Sequence, residues 1–79
     1  MPTSPPTTLA EVPVGNRAIV TATTTAPDLI RRLAELGVRP GASLTVVQRT
    51  AGGGRVIDIG SARYAIDNRT LHHIEVHHA

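Results

Sequence analysis

The chain has 79 residues, eight of them basic, six acidic and four histidine, with no cysteine and Tyr64 as its one aromatic residue. That length predicts one domain whose core nets only ~3 to 5 kcal/mol, so a partner or a homo-oligomer would be a natural support. The missing cysteines exclude a disulfide scaffold, thiolate metal sites and cysteine chemistry, and a net charge of +2 from scattered arginines supplies no basic stripe for nucleic acid.

Residues 1–8 read as a disordered tail, without the basic start and apolar run of a signal peptide, and no later segment has the length of a membrane span. Residues 17–24 alternate as a first strand with Val20 facing inward and Ile19 ambiguous. A helix follows. Thr25 is placed to cap it, Asp28 to reach back toward the cap, and Pro27 suits its first turn. Leu29, Leu33 and Leu36 form its apolar stripe, and Arg31 and Glu35 are spaced to pair across one turn. Gly37 is expected to end the helix at positive φ, with Val38 making the apolar contact of a Schellman ending. Pro40-Gly41 then signals a type II turn.

A second strand carries Leu44 and Val46 to about Thr50, and Gly52-Gly53-Gly54 connects it to a third over Val56 to Ile59. Gly60-Ser61 fits a type II′ turn into a fourth strand with Tyr64 and Ile66. Asp67 to Thr70 reads as a polar turn, Leu71 as a core plug, and Ile74 and Val76 as a last strand with 77–79 frayed. The fold class is mainly β: a miniature barrel of about five strands over residues 9–76, with one helix between the first and second.

The order Leu9-x-x-Val12-x-x-Gly15-x-x-Ala18-x-Val20, Arg32-Leu33-x-x-Leu36-Gly37-Val38-x-Pro40-Gly41, Leu44-x-Val46, Ile57-x-Ile59, Tyr64-Ala65-Ile66 and Ile74-Glu75-Val76 resembles the FeoA family of bacterial ferrous iron uptake. The resemblance implies an SH3-like barrel, in the cytoplasm, acting without catalysis beside FeoB, the membrane permease with a cytosolic GTPase-type domain; no cofactor is expected beyond weak binding of a divalent metal. Two positions depart from that pattern. Ile66-Asp67 stands where relatives commonly have Leu-Arg, reversing a charge, and Leu71 stands where they often have Ala. The fold also resembles the C-terminal domain of iron-dependent repressors of the diphtheria-toxin-repressor type, although the length predicts no winged helix ahead of it.

Two groups of residues carry candidate function. Ile30, Arg31, Arg32, Val38 and Arg39 form a mixed apolar and guanidinium patch on the helix and the turn after it, suited to a protein partner such as the permease's cytosolic domain. His73, Glu75 and His77 fall on one face of the last strand by its period of two, a weak ligand set that suits iron or zinc, so a metal-binding sensor or carrier is the rival reading. A third reading is a small-barrel interaction module with an unrelated partner. The glycine run lacks a Walker lysine and opens a strand, and the scattered Ser, His and Asp residues lack an elbow motif, so neither phosphate nor hydrolase chemistry is expected.

Overall fold

A computed structural model describes residues 7–78. Residues 1–6, most of the expected tail, and residue 79 lie outside the described residues. The elements run β1 (Thr7–Thr8), a 3-10 turn (Leu9–Glu11), β2 (Arg17–Thr23), α1 (Pro27–Leu36), β3 (Ser43–Arg49), a second 3-10 turn (Ala51–Gly53), β4 (Arg55–Asp58), β5 (Arg63–Ile66), α2 (Asn68–Leu71) and β6 (Ile74–His78). All six strands join one antiparallel sheet in the order β1-β6-β2-β3-β4-β5. The sequence reading missed β1, which is only two residues long and pairs Thr7 with Val76 and Thr8 with Glu75. Pairing with β2 also holds His77 and His78, opposite Ile19 and Ala18, in a strand where fraying was expected.

The alternation on each strand builds the core. Ala18 and Val20 of β2, Leu44 and Val46 of β3, Ile57 of β4, Ile66 of β5, and Ile74 and Val76 of β6 all face inward and are buried. Ile19 points the other way and is half-buried. Register shifts at Thr21 in β2 and Val47 in β3 bend these strands, as bulges do, and curl the sheet into a barrel. No ladder joins the end strands β1 and β5 among the described residues. The turn after β1 packs against α2, bringing in Leu9 and Leu71, each fully buried, so apolar side chains close the barrel there. Leu71 therefore plugs the core as its sequence position suggests.

The helix starts one residue later than a Thr25 cap requires. Pro27 takes the first helical position, where its missing N–H costs nothing, and Ala26 before it is extended at φ −61°, ψ 144°, as a residue preceding proline prefers. Ala26 has no capping side chain, but its carbonyl accepts from the Leu29 and Ile30 amides, each at 3.0 Å. The expected Arg31–Glu35 pair does not form. Arg31 instead lies 3.7 Å from Asp28, a pair so exposed that it adds little stability.

The helix ends as expected, with Gly37 at φ 102°. Its amide donates to the Ala34 carbonyl at 3.0 Å and the Val38 amide to the Leu33 carbonyl at 2.7 Å, the paired bonds of a Schellman motif. That motif folds Val38 under the last turn against Leu33, and both are buried. Val38 is therefore core rather than the exposed partner contact expected of it. Leu36 shows the opposite displacement: expected in the helix's apolar stripe, it is 38% exposed at the helix tip, because Val38 occupies the space beneath. At the following turn Ala42 donates to the Arg39 carbonyl at 2.9 Å with Gly41 at φ 93°, as Pro40-Gly41 predicts.

Truncating Leu33 to Ala should lower stability by about 2 to 5 kcal/mol, whereas Leu36→Ala should cost less than about 1 kcal/mol, measured by urea unfolding. Gly37→Ala should destabilise the chain as well. The Ile59 methyl 2.9 Å from the new Cβ can rotate aside, but the positive φ cannot relax.

Candidate functional site

Around α1, with about 100° between successive residues, the core stripe is Leu29 and Leu33. Arg31 lies on the outer face, and Arg32 and Leu36, one turn apart, share a flank. Ile30 lies on the opposite flank, about 160° from Arg32, so the two do not form one continuous patch. Arg31, Arg32 and Arg39 are exposed and Ile30 is half-buried. Neither Arg32 nor Arg39 has an ion-pair partner among the described residues. Leu36 is one of two large apolar side chains exposed there, the other being Val14. Removing the buried Val38 and adding Leu36 leaves an apolar contact at the helix tip with a free guanidinium on either side along the chain.

The tip continues into a cleft. Ile59, whose δ1 methyl lies against Gly37, also lines a depression of about 340 Å³ with Arg17, Ser43, Thr45, Val47 and Asp58. The β4–β5 hairpin forms its far wall. Gly60 takes φ 97°, the Ile59 amide donates to the Ala62 carbonyl at 3.0 Å, and Asp58 Oδ1 accepts from the Gly60 amide at 2.7 Å. Asp58 Oδ2 also accepts from Arg63 Nε at 3.0 Å. The Gly60 bond and then the Arg63 guanidinium hold the Asp58 carboxyl below the usual carboxylate range.

Asp67, the charge reversal of the sequence pattern, has a structural task. Its backbone is extended and its carboxylate caps α2, accepting from Thr70 Oγ1 at 2.5 Å and from the Thr70 amide at 3.2 Å. Those two bonds lower its pKa. The expected polar turn is thus one capped helical turn, a difference in length that sequence spacing alone did not resolve.

The histidines do not assemble. His73 sits in the turn before β6, where its carbonyl accepts from the Thr24 amide at 2.8 Å, while Glu75 is half-buried in the strand and His77 exposed further along. Among the described residues no three His, Cys, Asp or Glu side chains lie close enough to hold a metal ion. His72 is engaged elsewhere, its Nδ1 2.8 Å from the Asn68 carbonyl.

The FeoA domain model matches residues 7–78, every residue described. The chain belongs to the FeoA family. That family, one of small accessory proteins, is associated with ferrous iron transport. FeoA from Chlorobium tepidum is 29% identical over 91% of this chain and 70% of its own, with a TM-score of 0.85. FeoA from Stenotrophomonas maltophilia, solved in complex with zinc and described as a procaryotic SH3 domain protein, is 30% identical over 90% of this chain and 89% of its own, with a TM-score of 0.75. The barrel is accordingly SH3-like. A manganese-dependent transcriptional repressor is 25% identical over 99% of this chain, which spans 44% of the repressor, with a TM-score of 0.83. Comparison with curated proteins returned no match.

Two outcomes check these assignments. Replacing His73, Glu75 and His77 together with Ala should leave the melting curve of a chelator-treated sample unchanged, and calorimetry with zinc or ferrous iron should show no tight site that the replacement removes. Asp58 and Asp67 bind protons more weakly folded than unfolded, so their contribution is complete above the unfolded carboxylate pKa of about 4 and is lost as pH falls through their lower folded values. Thermal stability should therefore drop below about pH 4, and less steeply in Asp58→Asn and Asp67→Asn.

Proposed function

We propose that this chain is a non-enzymatic, cytoplasmic accessory protein of ferrous iron uptake that binds the cytosolic part of a FeoB-type permease and regulates or scaffolds it. The observation that carries this reading is the exposed Leu36 on a helix whose other leucines pack against the barrel, with Arg32 on the same flank and Arg39 two residues past the stop, both without ion-pair partners among the described residues. A buried leucine contact ringed by arginines that meet carboxylates or backbone carbonyls is a composition suited to the centre of a protein interface. Arg31 on the outer face and Ile30 on the far flank extend it. No helix of the described chain is long and apolar enough to cross a membrane, so attachment there runs through the partner in this reading. The iron transport named for relatives, in the structure of an iron(II) transport protein A from Clostridium thermocellum, supplies the physiological setting.

Leu36→Asp combined with Arg32→Glu should abolish co-purification with the permease's cytosolic domain and iron-dependent growth while the circular dichroism spectrum and melting curve stay as in the parent. Full association of a folded double variant would move the surface away from α1.

A further inference from the structure

β5 is the last strand of the sheet, and its hydrogen-bonding parity can be read from its neighbour. The Ile59 amide bonds to the Ala62 carbonyl, and the register continues in steps of two through Ile57↔Tyr64 and Arg55↔Ile66. In an antiparallel ladder, Tyr64 and Ile66 therefore turn their amides and carbonyls toward β4, and Arg63 and Ala65 turn theirs away; of the extended Asp67 beyond them only the amide continues that edge, since its carbonyl accepts from the Leu71 amide. The Ile66 carbonyl confirms the parity, lying 2.7 Å from the place where a Cβ on Gly54 would sit. The outward groups of Arg63 and Ala65 meet no other strand among the described residues. Arg63, Ala65 and Asp67 are also exposed on the sheet's outer face, while Ile66 on the inner face is core.

An edge of this kind is a template for another strand, and natural sheets usually blunt it with proline, a bulge or a charge pointing inward. β5 has no proline, bulge or inward charge, its four residues being Arg, Tyr, Ala and Ile in regular register with β4, and only its short length and the exposed Arg63 limit the edge. The outer face instead reads positive, small, negative over Arg63, Ala65 and Asp67. Reversed and laid against itself, that pattern sets each positive end beside a negative one.

We propose that the β5 edge pairs antiparallel with the same edge of a second copy of this chain, with Ala65 facing Ala65 at the two-fold axis and Arg63 facing Asp67 on either side. Each Ala65 amide donates to the other's carbonyl. Each Asp67 amide donates to the opposing Arg63 carbonyl, whereas the Asp67 carbonyl stays with the Leu71 amide, which it binds at 3.1 Å. The side chains have capacity for the contact. Arg63 uses Nε for Asp58, leaving its terminal N–H groups, and the Asp67 oxygens that accept from Thr70 keep further lone pairs. Opposite charges facing each other across a strand pair stabilise it, and alanine at the axis leaves room for two close backbones. A ladder this short buries less than the ~1,200 Å² of a durable interface, so the dimer is reversible and grows with concentration.

The edge is separate from the α1 surface, so this inference and the permease reading fail independently. Sedimentation and amide hydrogen exchange on the full chain test it. With rising concentration a dimer should appear, and exchange at the Ala65 and Asp67 amides should slow while the Tyr64 and Ile66 amides, already in the β4 ladder, stay as they were. Arg63→Glu and Asp67→Arg should each lose the dimer, since each sets like charges across the axis. Mixing the two variants should restore it as a heterodimer, because both contacts are then of opposite sign; a purely local loss of the α2 cap would not be rescued in that way. Wild-type chain that stays monomeric, or a dimer that leaves Ala65 unprotected, overturns the proposal. So does protection of Ala65 that appears only when the permease's cytosolic domain is added, which assigns the edge to that partner instead.

Discussion

The left-handed backbone at Gly37 is the constraint on which the rest of the molecule depends. At φ 102° it closes the Schellman pair of hydrogen bonds, so the chain leaves α1 by folding back under its last turn instead of running on past it. Three consequences follow from that one dihedral. Val38 enters the core beside Leu33, Leu36 is left at the surface, and the absence of a Cβ gives the Ile59 methyl a seat against the backbone. The helix tip is thereby joined to the β4–β5 hairpin, and the same turn aims the chain through Pro40-Gly41 into β3. A residue with a side chain would strain the dihedral that sets all of this, which is why a single glycine governs both the packing and which side chains are left at the surface.

The two surfaces differ in physical character. Around the end of α1 an apolar side chain lies among exposed guanidinium groups, so in the proposed reading recognition there would be by side chains and would tolerate change in the partner's backbone. Along β5 the backbone itself is the donor and acceptor, and the side chains only select direction and register. A small barrel whose interior is taken up by its own core can present both without compromise. Neither surface uses the inward residues that hold the sheet together.

Much of the fold was legible because local chemistry and tertiary packing agree. Gly37, Pro40-Gly41 and Gly60-Ser61 are positions where the backbone demands a particular residue, and Val20 and Leu71 lie where alternation and spacing require an inward apolar group. The failures have equally local causes. β1 is two residues whose pairing is decided by β6, nearly the whole length of the chain away. Thr25 offered a capping hydroxyl, but proline's preference for the first helical position fixed the start at Ala26. At the candidate surface the period of 3.6 treats Leu36 as the next member of the stripe, and it stops applying where the Schellman turn substitutes Val38 for it. The same reading that assigned Val38 its contact with the helix could have removed it from the exposed patch. The strand period likewise grouped His73 with Glu75 and His77, although His73 belongs to the turn before β6.

The central claim, that the tip of α1 is where this FeoA-family chain meets its partner, is tested most directly by amide chemical-shift mapping during titration with the permease's cytosolic domain. The account predicts shifts centred on Arg32, Leu36 and Arg39, fading toward Ile30 and leaving the α2 and β6 amides in place. Shifts confined to the β5 edge or to the histidines of β6, or binding that perturbs no residue of α1, would contradict it.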